Sequence, residues 1–513
     1  MEPKKKTQTG RRARGGSALL TTVIALFVLT GATLLILTQS ASALHVTRRD
    51  RAAATAFNLA ESGAELAALW LRKQPYPPAG LASLAPFGAQ QPLGEGTYSL
   101  TVIPDRDNET AYLKRFKVIS HGTVRQQKRT VEVVLQQASF GRYAYFTDQE
   151  LSVNGSPINF RTGDTIDGPA HSNNSNGTNF RITYTGSDPI FLDSVTAVGT
   201  TINYSPGQPT NEAAFQRIYR EGSLGYQLGV AYVPLPSTTD VQREAAWGSA
   251  SGYPTANGVY LRPDADGGFY VRGDAAIRFS VNGSGNQVIT ITQGSKVTSL
   301  TLDRATKSVT ASGPMGPGSP TSASSLGTGV IYCTGHVTSL QGEIADNRVV
   351  GSEIETRSEF TLATDVNAGK DIKVTGNLTY RTRPDKTLDA WADVNLRAGT
   401  LGLVARNTTI ASTAPQNLEI DAVTLSGSEN LSEGSFSVEN YSTKKPTGTL
   451  KVIGGIIQKK RGAVGTFNSS TGAMTTGYEK DYNYDTRLAT HPPPYFPTTG
   501  GYERLSWRLL PVE

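Results

Sequence analysis

Five side chains able to carry a proton or hold a cation fall within one short stretch, RTGDTIDGPAHSNN: Asp164, Asp167, His171, Asn173 and Asn174. Two carboxylates and an imidazole so close together could act as a general acid–base set or ligate a metal. The same letters are also turn chemistry. Asp167-Gly168-Pro169 suits a tight corner, and Asp and Asn side chains bond neighbouring backbone amides in such corners. The turn reading is preferred, since short motifs recur by chance. Asp164, Asp167 and His171 are the catalytic residues of the alternative. Asp264 and Asp266 in RPDADGGFY, and Asp105, Asp107 and Glu109 in PDRDNET, alternate as calcium ligands do. Neither run reaches the closing Glu of a calcium loop, so both read as solvated loops.

The motifs of the common reactions are missing. There is no Gly-x-x-x-x-Gly-Lys-Ser/Thr loop, no Gly-x-Ser-x-Gly elbow and no His-Glu-x-x-His. His45, His121, His171, His336 and His491 are scattered. The single cysteine, Cys333, excludes an intrachain disulfide and a Cys-based metal site, and its place in an alternating strand pattern reads as core. No metal and no cofactor are expected.

The elements that carry these residues begin with a basic head. The chain has 513 residues and a net charge of +6. Lys4, Lys5, Lys6, Arg11, Arg12 and Arg14 against Glu2 account for nearly all of that charge, so the rest of the chain gives a nucleic-acid partner little support. Between Gly15 and Thr47 there is no Asp, Glu, Lys or Arg, and Ala18 to Leu37 is nearly all apolar. As a helix that run is about 30 Å long, one hydrocarbon core. The preceding cations hold the N-terminus in the cytoplasm. SASALH at 40–45 offers the site of a cleaved secretory signal as an alternative. Against it, the helical pattern continues through Ala56, Leu59, Ala60, Gly63, Ala64 and Ala67. One helix is predicted from about Ser17 to about Arg72, membrane-spanning first and amphipathic after.

A basic leader ending in Gly, an apolar helix and then RRDRAAATAFNLAESGAELAAL resemble the N-terminal region of PilX-type minor pilins of type IV pilus systems. The resemblance covers about the first 75 residues. It implies that a prepilin peptidase cuts after Gly16, leaving Ser17 as the first mature residue. It also implies that the helix, with Leu19, Thr21, Phe27, Leu34 and Leu37, packs against other pilin-like subunits. Major pilins usually carry Glu at the fifth mature position, where this chain has Thr21. A buried membrane carboxylate is costly unless paired, so its absence suits a low-copy, initiating or tip position. The implied partners are pilin-like subunits, the membrane, the prepilin peptidase and the inner-membrane assembly machinery. The implied location is the inner membrane, single-pass with the bulk outside, or the pilus and cell surface.

Beyond the helix (17–74), residues 75–138 read as a small pilin-like α+β head with strands in GTYSLTVIPD, YLKRFKVISHGTV and KRTVEVVLQQ, and a turn at His121-Gly122. Residues 139–513 read as mainly β. An apolar-x-apolar-x-Gly pattern recurs at Leu151–Gly155, Val195–Gly199, Phe269–Gly273, Phe279–Gly283, Val309–Gly313, Ile331–Gly335, Ile372–Gly376, Val423–Gly427 and Leu450–Gly454. Short Gly-ended strands with uneven insertions favour a β-solenoid. Asn-Gly pairs such as Asn282-Gly283 keep a β-sandwich as the alternative. NEAAFQRIYREG and STTDVQREAAWG are helical insertions, and 312–329 is a Gly/Pro/Ser loop. The basic cluster KKRGAVG (459–465) reads as a solvated strand edge. The aromatic, Pro-rich tail from about 482 is expected to cap the open end of the β-domain. GDTIDGPAHSNN, LGLVARN, GGIIQKKRGAVGTF and the tail resemble a large β-rich domain of unknown function found behind PilX-type leaders. That resemblance implies no reaction. The expected function is a non-enzymatic minor pilin-like component of a type IV pilus or related secretion or uptake machine. The alternative is a membrane-tethered glycan-binding or polysaccharide-active protein using the Asp164/Asp167/His171 loop, and a plain anchored protein is the third.

Overall fold

The computed structural model describes residues 15–74, 87, 89–106, 110, 112–175, 179–443, 448–468 and 473–511, with side chains from residue 18 onward. It is mostly β, with one long N-terminal apolar helix. The chain divides into two compact units. One takes residues 1–108, 115–136 and 504–513, the other 109–114 and 137–503.

In the first unit α1 runs Gly15–Arg72 without a break. Every side chain from 18 to 51 is exposed. The hydroxyls of Thr22, Thr30, Thr33 and Thr38 donate to the carbonyls of Ala18, Leu26, Leu29 and Leu34. They therefore need no water in apolar surroundings. From Ala52 onward the helix is half-buried: Ala56, Leu59, Ala60, Ala64, Ala67 and Leu71 recur at helical spacing on one face. That face lies on an antiparallel sheet of β1 (Gln91–Leu93), β2 (Gly96–Pro104), β3 (Arg115–Val124) and β4 (Gln127–Ser139), in that order. Its fifth member, beside β4, is the strand Thr498–Leu510. Phe116, Val118 and Val124 alternate inward along β3. The turn expected at His121-Gly122 falls instead at Arg125-Gln126, with Arg125 at φ 54°. Gly122 has another purpose: a Cβ there would stand 1.9 Å from the Ala56 carbonyl oxygen, so the glycine lets the helix lie close.

The second unit is built on parallel ladders of short strands. The first ladder stacks Phe269–Arg272, Val330–Cys333, Glu359–Thr364, Thr400–Ala405, Leu418–Ser426, Gly448–Lys460, β5 (Tyr145–Gln149), Ala170–Ser172, Val195–Ala197 and Tyr226–Leu228. Register lines up one inward column: Phe269, Ile331, Leu362, Leu403, Thr424, Ile456, Tyr145, Ala170, Val195 and Tyr226. Most of it lies in the main hydrophobic cluster. A second ladder runs through Ala275, Val337, Ile372, Thr408 and Phe436. A third runs through Leu378, Ile420, Val452, Tyr482, Ile166, Phe191 and Tyr219.

The order in space is not the order in the chain. The first strand of the unit, β5, sits in mid-stack between Gly448–Lys460 and Ala170–Ser172. The chain climbs from β5 to Tyr226–Leu228, then residues 229–257 return to the far end. The return segment carries α3 (Asp240–Trp247), which follows the short α2 (Glu212–Gln216). Gly248 ends α3 at φ 80°. Leu235, Ala245 and Ala246 of the return cover the outward column of the first ladder, Tyr270, Tyr332, Ala363, Val404, Leu425, Ile457 and Phe146. Successive hairpins join Ala275–Val281, Gln287–Gln293, Lys296–Asp303 and Ser308–Ser312, and further antiparallel pairs join Gly258–Leu261 to Phe269–Arg272, Arg348–Val350 to Glu353–Thr356 and Gly465–Phe467 to Met474–Asn483. In the first hairpin Asn282 Oδ1 accepts from the amides of Ser284 and Asn286. The tail lies along the ladders rather than over an end: Tyr482 joins the third ladder, Leu488 and Phe496 join the outward cluster, and the chain then enters the five-stranded sheet.

Candidate functional site

The stretch RTGDTIDGPAHSNN forms a corner between two ladders. Thr165–Asp167 belongs to the third and Ala170–Ser172 to the first, with only Gly168 and Pro169 between. Gly168 is packed hard there, since a Cβ would meet Tyr484 Cβ at 2.3 Å. The three candidate residues look to different neighbours. Asp164 is buried, accepts from the Arg161 amide at 3.1 Å and pairs with Lys480 Nζ at 2.6 Å. Asp167 pairs with Arg220 at 3.5 Å and with Lys386. His171 continues the outward column of the first ladder, one rung beyond Phe146, on which its ring stacks at 5.1 Å. Its Nδ1 meets Thr196 Oγ1, the next rung, at 2.8 Å, and its Nε2 meets Asn173 Oδ1 at 3.1 Å. Burial holds its pKa down to about 4, so the ring is neutral. These contacts fix each side chain in the fold and converge on no common point.

Asn173 links the corner to the return segment. Its amide nitrogen donates to Asp148 Oδ1 at 3.0 Å and to the Val233 carbonyl at 2.8 Å, and its Oδ1 accepts from the Val233 amide. Asn174 sits at φ 48° with its Oδ1 accepting from the Ser172 hydroxyl.

The basic cluster 459–465 differs from its expected place on a solvated edge. Gln458 and Lys460 are in register with Thr147 and Gln149, which puts Lys459 beside Asp148 and Arg461 beside Glu150. Lys459 Nζ lies 3.0 Å from Asp148 Oδ2, and Arg461 Nη1 lies 3.2 Å from Glu150 Oε2, all four side chains being buried. Arg461 also donates to the Ile158 and Asn159 carbonyls and lies 3.6 Å over the Phe160 ring. Tyr232 of the return segment donates to Asp148 and Glu429 at 3.0 Å each. The cations are buried because this edge is not an edge: β5, from the start of the unit, pairs with it. The signal available in the sequence was the pair Asp148 and Glu150 directly after the apolar YAYF, two acids spaced to lie on one face of the same strand.

On α1, Leu19, Phe27, Leu34 and Leu37 are exposed, and Thr21 is exposed with its hydroxyl donating to the Ala18 carbonyl at 3.0 Å. The helix is long and apolar enough to cross a membrane once. Gly16 and Ser17 have only their backbone among the described residues, in the first turn of α1, and the leader before residue 15 lies outside them. Asp264 accepts from the Ser324 amide at 2.8 Å, and Asp105 pairs with Arg115 at 3.1 Å. Asp107 and Glu109 lie outside the described residues. Among the described residues no three His, Cys, Asp or Glu side chains cluster as metal ligands. Cys333 is buried in the main cluster, and burial pushes its thiol up to about 12.

Comparison with known proteins adds two likenesses. A family model described as Domain of unknown function (DUF4900) matches residues 111–200, from β3 through Val195–Ala197. No curated protein matches the chain. Among solved structures, the crystal structure of the competence-associated pilin ComZ from Thermus thermophilus is similar over 90% of this chain and 97% of that one, at 14% identity and a TM-score of 0.32. Neither likeness assigns a role to a residue of this chain.

Proposed function

We propose that this chain is a non-enzymatic minor pilin-like component of a type IV pilus or related secretion or uptake machine. In this reading it is cut after Gly16 by a prepilin peptidase and held in the inner membrane by the first half of α1. It then packs through Leu19, Thr21, Phe27, Leu34 and Leu37 against the helices of other pilin-like subunits, with the bulk of the chain outside. The observation that carries it is the division of α1. Residues 18–51 are wholly exposed and almost uncharged up to Thr47, while 52–71 are built into a sheet through a stripe of alanines. A helix half held and half bare is suited first to a bilayer and then to a bundle of like helices. The large unit is, in this reading, a β-solenoid with parallel ladders as its faces and the residues between strands as loops of uneven length.

The test is the mature N-terminus, read by mass spectrometry of protein taken from its native membrane. A chain starting at Ser17 is the expected result. A start at Met1 leaves a plain anchor, and a start near Leu44 makes the segment a secretory signal; either overturns the pilin-like reading.

A further inference from the structure

Trp391 is 78% exposed, in a chain whose other large aromatics beyond α1 are mostly covered. It lines a cavity of about 200 Å³ in the large unit, together with the apolar Ile354 and Leu396 and the polar Arg357, Glu359, Arg487 and His491. An indole left in water forfeits the stabilisation that burial would give, so its position calls for a reason. Looseness of the loop is not that reason. The Trp391 amide donates to Asp389 Oδ1 at 2.8 Å. Behind it the buried Asn395 side chain donates to the carbonyls of Asp385 and Asp389, at 2.9 and 2.7 Å, and accepts from the Asp385 amide at 2.7 Å. The indole is held out on a tied loop.

The chemistry of the wall narrows the ligand. Each cation there already has its anion: Arg357 meets Glu359 at 2.6 Å, and Arg487 meets Asp485 at 2.7 Å while donating to the carbonyls of Asn395, Ala398 and Gly399. An anionic ligand would have to displace a bound carboxylate. A purely apolar ligand would strip water from Arg357, Glu359 and Arg487 and give no hydrogen bond in return. A flat aromatic face beside polar groups fits a ring that is apolar on its face and carries hydroxyls on its rim. We propose that this cavity binds an uncharged sugar ring, stacked on Trp391 and hydrogen-bonded at its rim by the half-exposed Arg357 guanidinium. The proposal does not depend on the pilin-like reading, nor on the Asp164–His171 corner.

The test is calorimetric titration of the full-length protein in a detergent without a sugar headgroup. The probes are the linear hexamers of glucose and of N-acetylglucosamine, with hexagalacturonate as the acidic comparison. The expected result is binding of a neutral hexamer, weakened at least tenfold in Trp391→Ala, partly restored in Trp391→Phe and reduced several-fold in Arg357→Gln, with an unchanged melting temperature for the Trp391 variants. Three results overturn it: no binding of either neutral hexamer at millimolar concentration, binding indifferent to Trp391→Ala, or binding of the acidic hexamer alone.

Discussion

His171 shows how far a residue can be read without its fold. Its place in a polar corner was plain from the letters, and so was the turn; what was hidden is the column. The ring is a rung between Phe146 and Thr196, neighbours set by pairings 25 residues away on each side. Asp421 is the more consequential titrating group. It is fully buried, its Oδ2 accepts from the Tyr380 amide at 2.8 Å, and its Oδ1 has no partner among the described residues. Burial raises its pKa to about 7 from 3.8. The folded chain therefore keeps a proton between those values that the unfolded chain has lost, and this stabilises the fold until the pH passes 7. His171, held down, acts oppositely and only below its usual value of 6.5. Glu150 and Glu503, likewise raised by burial, act in the same direction as Asp421. Asp421→Asn should remove a loss on the order of 2–4 kcal/mol on raising the pH from 5 to 8. Urea unfolding at several pH values checks it: a slope equal to that of the wild type would show that Asp421 is ionised in the fold.

At the scale of elements, α1 was legible because a charge-free apolar run and a 3.6-residue alanine stripe are local signals. The strands of its sheet were legible by alternation. Gly122 was not, because a glycine before a turn and a glycine under a helix look alike in sequence. Only the helix distinguishes them. Gly122→Ala should push α1 off β3 at the Ala56 carbonyl and cost about 2–3 kcal/mol, the upper part of the usual range for overpacking. Gly94→Ala, at a position with open space around it, sits at φ 57° and should cost about 1 kcal/mol from the backbone alone. Thermal unfolding of the two variants separates close approach from backbone strain. Equal losses would mean that the helix does not lean on Gly122.

For the whole molecule, the short Gly-ended strands could be read but their order could not. Spatial neighbours such as Gln149 and Lys460 are 311 positions apart, and no periodicity reports a pairing that skips most of the chain. The seam between β5 and Gly448–Lys460 carries the buried pairs Lys459–Asp148 and Arg461–Glu150, charges that would be costly in any other register. The in-register pair Gln149 and Lys460 gives a direct check. A Gln149→Cys, Lys460→Cys variant should form an intrachain disulfide on mild oxidation, since adjacent strands lie within disulfide reach and Cys333 is buried. A chain that stays reduced, or that crosslinks only between molecules, would refute the mid-stack position of β5.

The strand Thr498–Leu510 has one more consequence, and it concerns time. It lies beside β4, and the Thr499 hydroxyl reaches the carbonyl of Ala138, 361 positions earlier. During synthesis β4 thus waits with a bare edge while more than half of the chain is made. A chain stalled or clipped in that interval keeps the edge open, and open edges recruit foreign strands. Completion of the helix-bearing sheet is therefore a record that everything between residues 139 and 498 has been made, so interrupted chains differ from whole ones at the helix-bearing unit itself.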